Sequence, residues 1–169
     1  MGAIDVTSEV GRKTEDLLSR PSEDAWAACA AVWTRTLVLA APGWAKWPTW
    51  FDHVHRAHAE AIRLVAGAGR ATRLDEQLLV LEGFDIEDDG STEWQYVVDS
   101  IAMLLPVLHQ EPLAVCLQTA LTTYLDGKFN VLSNLHALSL GRPISDVEAR
   151  HALEDDRAWL RAVNFVRSL

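Results

Sequence analysis

The stretch Ser91-Thr92-Glu93-Trp94-Gln95-Tyr96-Val97-Val98-Asp99-Ser100-Ile101-Ala102-Met103-Leu104-Leu105-Pro106-Val107-Leu108 decides the fold class. Trp94, Val97, Val98, Ile101, Leu104, Leu105 and Leu108 recur at intervals of three and four, which gathers them into one wide apolar stripe on a helix. Ser91 or Thr92 opens that helix as a cap. Pro106 lacks an amide hydrogen, so a kink or an early end is expected there.

Downstream, Pro112 suits the first turn of a helix that buries Leu113, Leu117, Leu121, Tyr124 and Leu125. Gly127 marks either a break or a close helix contact before Val131, Leu132, Leu135 and Leu138, and Gly141-Arg142-Pro143 closes the run. Ser145-Asp146-Val147-Glu148 has capping-box spacing, and the terminal stretch with Leu153, Trp159, Leu160, Val163 and Val166 is helical in period. Upstream, a short helix is expected around Ser8 to Ser19, and a second from Pro21-Ser22 to about Ala40, stopped by Pro42-Gly43. A third, restarted by Pro48 and Thr49, carries Trp50, Val54, Ala57, Ala61 and Leu64 as far as Gly67 and Gly69, and Thr72 to Glu82 makes a fourth. With no alternating runs, the layout predicts an all-α fold: residues 1–169 as one domain, a bundle of six or seven helices with Trp94 to Leu108 near its centre.

The 169 residues are 49% hydrophobic and 23% charged, with mean hydropathy +0.03, which places the chain among folded globular proteins. Its net charge of −9 repels a polyphosphate backbone and argues against nucleic acid. Cys29 and Cys116 sit in apolar helical surroundings without metal or redox spacing and read as reduced, buried thiols. The opening residues, with Asp5 and Glu9, do not form a secretory signal, and the apolar window Ala25 to Ala41 is shorter than the roughly 20 residues of a spanning helix. A cytoplasmic protein with no membrane partner is expected.

Chemistry-bearing motifs are sparse. Asp85-Ile86-Glu87-Asp88-Asp89-Gly90 opens like a calcium loop, but Tyr96 stands where the closing bidentate Glu belongs. Asp52, His53, His55 and His58 cluster on the third helix, where only Asp52/His55 and His55/His58 share a face, so a polar surface is expected rather than a metal centre. Asp155/Asp156 reads as solvated surface, and His109, His136 and His151 converge only if the fold brings their helices together. Nucleophile elbow, phosphate cradle and zinc-protease patterns do not occur, so no cofactor or catalytic residue is nominated.

Charge is distributed unevenly. Between Arg73 and Lys128 no Lys or Arg occurs, while eleven acids do; the remaining 13 acids face 15 bases. The densest part, Glu82, Asp85, Glu87, Asp88, Asp89 and Glu93, is either a solvated face or a surface that steers a basic protein partner. Trp44, Trp47 and Trp50, with Phe51, form either a hydrophobic lid or a set of apolar anchors for that partner.

Gly141-Arg142-Pro143-Ile144-Ser145-Asp146-Val147-Glu148, followed by an aromatic-rich helix through Trp159 and Phe165, resembles the ending of the YjaG-like family of small bacterial helical proteins. The order of the Trp94–Leu108 helix and of Ala120 to Leu140 extends the resemblance over the C-terminal half. It implies an all-α bundle and carries no activity or site residue. Small acidic helical proteins of the immunity type inhibit a toxin by covering it, an analogy of class and charge. The leading expectation is therefore a non-catalytic protein-binding module, immunity-type, occluding a basic partner. The alternatives are an enzyme or small-ligand binder with an interhelical pocket using His55, His58 or Asp99, and a homo-oligomer or homodimer joined through the tryptophan segment.

Overall fold

A computed structural model describes residues 4–66 and 91–169. The fold is all-α, and the described residues form eight helical segments, one of them a single turn. They are α1 (Val6–Leu18), α2 (Ser22–Trp44), α3 (Pro48–Val65), α4 (Thr92–Ala102), α5 (Leu105–Leu108), α6 (Leu113–Leu140), α7 (Asp146–Leu153) and α8 (Arg157–Ser168). The expected Thr72 to Glu82 helix and the Gly67/Gly69 stop lie outside the described residues.

Two long helices organise the bundle. Helix α2 packs against α1, α3, α4 and α6, while α6 packs against α1, α2, α4, α5, α7 and α8, with α4 wedged against both. Trp33, Met103, Leu104, Leu117, Leu121, Leu125, Val163 and Val166 are among the side chains fully removed from solvent along that seam. Cys29 and Cys116 are buried free thiols, pushed up to about 12 and about 11 chiefly by burial.

The boundaries show which local signals prevailed. Ser91 caps α4 by accepting from the Trp94 amide, and Ser145 and Glu148 make a complete capping box on α7. Helix α4 ends at Ala102, the residue four before Pro106, whose missing amide and ring leave that carbonyl no helical partner; the chain re-forms one turn, α5, beyond it. Pro112 is the residue before α6 rather than its first, and α6 runs unbroken through Gly127. Gly141 closes α6 in a left-handed conformation (φ 66°), with the Arg142 amide reaching back to the Ala137 carbonyl.

Three expectations are corrected. Pro42-Gly43 does not stop α2, because Pro42 is exposed and the Val38 carbonyl it leaves unbonded lies on a solvent-facing turn. Gly43 is instead a helix crossing: a Cβ there would stand 2.8 Å from Val97 Cγ2 and 3.0 Å from the Glu93 carbonyl oxygen on α4. The C-terminal stretch is two helices, because Asp156 accepts from the Ala158 and Trp159 amides and starts α8 afresh; it is a cap rather than idle surface. Continued to Trp44, α2 becomes long and apolar enough by length and composition to cross a membrane, though its packing makes it a central helix of the bundle.

Candidate functional site

Asp99 is the most perturbed acid of the described residues. It projects from α4 toward α6, is 7% exposed, and meets Gly127, where a Cβ would lie 1.9 Å from Asp99 Oδ2. Gly127 is thus the close contact, not the break. Gln95, one turn earlier on α4, donates from Nε2 to Asp99 Oδ1 at 2.8 Å. Burial pushes the carboxyl up to about 7, Gln95 opposes this, and Asp126 adds to it. Such a group resembles a general acid or base in its proton affinity. Its position does not: the carboxylate is walled by the α6 backbone at Gly127, and neither described cavity is lined by it.

His58, His55 and His151 have partners of their own. His58 is half-buried, with Nε2 3.3 Å from Thr34 Oγ1 of α2, and burial, then His55, lowers its pKa. His55 is exposed and stacks on Phe51 at 5.7 Å, while His151 meets Glu154 one turn away at 3.5 Å. Among the described residues no three His, Cys, Asp or Glu side chains gather as a metal site.

Of the acidic segment, Glu82, Asp85, Glu87, Asp88 and Asp89, together with the calcium-like loop they belong to, lie outside the described residues. Glu93 is in the first turn of α4, 3.9 Å from Lys46 Nζ across the α2–α4 crossing. The tryptophans divide. Trp44 is 2% exposed and part of the core, so it is corrected from a candidate anchor to a core side chain. Trp47 and Trp50 are half-buried and pack on that core, with Lys46 over the Trp47 ring and Phe51 partly exposed beside them.

The largest departure from the expected burial is at the C-terminal end of α6. The apolar spacing places Leu132, Leu135 and Leu138 with the core; Leu132 is half-buried and packs on it, yet no residue from 133 to 140 is buried although three are leucines. Leu135 is 48% and Leu138 74% exposed, one turn apart on one face. Beside Leu138 a cleft of about 570 Å³ is lined by Thr92, Asn134, Ala137, Gly141, Arg142 and Pro143. Periodicity marks a face as apolar without saying what covers it, which is why the sequence places these leucines inside. Comparison with protein-family models, curated proteins and solved structures finds no match for this chain.

Proposed function

We propose that the chain is a protein-binding module, with no chemistry of its own, that seats a partner on the exposed leucines at the C-terminal end of α6. The observation that carries this reading is the exposure of Leu135 and Leu138 beside a ready cleft. An exposed apolar helix face is costly in water and marks interaction surfaces, and a leucine ridge beside a depression is the form of a hot spot. Supporting it, Asp99, the most perturbed acid of the described residues, is engaged by Gln95 and packed against Gly127, and lines neither described cavity. The charge of −9 then steers a basic partner, with Glu93 on the described part of the acidic segment. In its finer form this is an immunity-type inhibitor acting in the cytoplasm by occlusion.

The test is capture of partners from cytoplasm at low and high salt, identification by mass, and titration of the purified partner. Leu135→Gln with Leu138→Gln should abolish binding while leaving the circular dichroism unchanged and the melting temperature within a few degrees, since Leu138 is exposed, Leu135 is half exposed and glutamine keeps the helix propensity without adding charge at the helix end. Glu93→Lys should weaken binding and flatten its salt dependence. Equal affinity for the leucine double variant would refute the docking surface.

A further inference from the structure

Three cations converge where α2, α6 and α8 meet. Arg35 of α2 donates from Nε to Tyr124 Oη at 2.9 Å and lies over the Phe165 ring at 4.4 Å. Tyr124 and Phe165 are themselves in edge contact, with centroids 5.4 Å apart. Lys128 lies one turn after Tyr124 on α6 and Arg161 one turn before Phe165 on α8, so the aromatic pair brings all three basic side chains to one junction. Lys128 Nζ is held 3.0 Å from Tyr96 Oη, and its protonation is disfavoured first by burial and then by the charges of Arg35 and Arg161.

None of the three forms an ion pair among the described residues. The one carboxylate that favours the charged Lys128 is Asp156, and its Oδ1 is committed to the first amides of α8. Three clustered cations, none in an ion pair among the described residues and with Asp156 the one carboxylate acting on Lys128, leave a net positive field at this junction in a chain of 24 acids and 15 bases. The guanidinium of Arg35 is pinned through Nε and its ring contact, which orients it before any anion arrives.

Adjoining this junction is an open groove of about 700 Å³, lined by Ala30, Ala31, Thr34, Val38, Leu39 and Phe165, with Arg35 its only charged wall residue. Ala30 and Ala31 contribute small side chains to the lining, Val38 stands 65% exposed, and the lining is predominantly apolar. Its volume falls within the roughly 300–1,000 Å³ of ligand sites, where an apolar body is oriented by a few polar groups.

We propose that this groove binds a small amphipathic monoanion, an aliphatic or aryl carboxylate whose apolar body lies along Ala30, Ala31, Val38 and Phe165 and whose charge meets Arg35. Lys128 and Arg161 supply the surrounding positive field. The site is independent of the α6 leucine ridge and stands whether or not that ridge seats a partner.

Isothermal titration of the full chain with decanoate, decanol and inorganic phosphate tests it. Decanoate should bind, decanol at least tenfold more weakly, and phosphate without measurable heat, because the apolar body and the charge are both required. Arg35→Met should weaken decanoate at least tenfold and bring it level with decanol. Ala31→Leu, which adds bulk to the groove lining from a half-buried position, should weaken both, and a retained cooperative melt shows that each variant is folded. No decanoate binding at millimolar concentration, equal affinity for decanoate and decanol, or phosphate binding as well as decanoate would each overturn the assignment.

Discussion

At the scale of single residues, Asp99 links structure to a measurable pH response. The unfolded chain releases this proton near 3.8 and the folded chain holds it to about 7, because burial between α4 and α6 disfavours the charged form. Between those values the folded state binds more protons, so stability falls as pH rises through the window. Asp99→Asn keeps an acceptor for Gln95 and removes the charge. Between pH 5 and pH 8 wild type should therefore lose about 2–3 kcal/mol relative to the variant, by the linkage relation at about 1.4 kcal/mol per pH unit. Urea melts of both proteins at the two pH values measure this, and parallel curves would show that Asp99 titrates normally. That Asp99 lies in an apolar run is legible in the sequence; that Gly127 receives it is not, since residues 28 apart meet only through packing.

At the scale of elements, the two interior glycines show how close approach sets the bundle. Gly127→Ala places a methyl group where Asp99 Oδ2 sits, so the carboxylate must move within a closed space. The substitution should cost about 1–3 kcal/mol, the usual range for overpacking. In an Asp99→Ala background the same change should be neutral or stabilising by up to about 1 kcal/mol, because the obstacle is gone and alanine is the better helix former. A thermal double-mutant cycle reads this change of sign; the same cost in both backgrounds would place the strain elsewhere. Local signals delimit most elements correctly: the capping box at Ser145, the Ser91 cap and the break before Pro106 are chemistry contained within a few residues. Pro42 misleads because one lost hydrogen bond at an exposed position is outweighed by the packing of Gly43 and Trp44 on the core. Leu135 and Leu138 mislead for the converse reason, a correct helical period on a helix end whose apolar face stays exposed. Arg35, Lys128 and Arg161 carry no common sequence signal, being one residue from each of three helices.

At the scale of the whole molecule, the two ends of the chain are fastened by polar groups. Glu9 of α1 accepts two bonds from Arg167 of α8, Nε to Oε1 at 2.6 Å and Nη2 to Oε2 at 3.1 Å, with Arg12 as a further partner. Lys13 Nζ donates to the Arg167 carbonyl at 3.0 Å and Arg20 Nη1 to the Leu169 carbonyl at 3.4 Å, so cations also meet the negative end of the α8 dipole. Glu9 is nearly closed off from solvent, whereas Arg167 is half exposed, so water screens the pair and its net value is about 1 kcal/mol. The Arg167 hydrogen bonds are the largest influence on Glu9 and hold its pKa below the ordinary 4.5, against burial, which raises it. A depressed carboxylate contributes stability above its unfolded value and loses it as pH falls through the folded one. Glu9→Gln, Arg167→Met and the double variant should therefore show a coupling of about 1 kcal/mol at pH 7 that vanishes as pH drops below the carboxylate range. Arg167→Met alone should cost more than Glu9→Gln, because it leaves a buried carboxylate with only the exposed Arg12, while Glu9→Gln leaves a cation that water can solvate. Amide hydrogen exchange gives the spatial readout: protection in Val6–Leu18 and Arg157–Ser168 should fall together in the Arg167 variant while Leu117 to Leu125 keeps its protection. If α1 alone loosens, the clamp serves one helix rather than joining both ends of the chain.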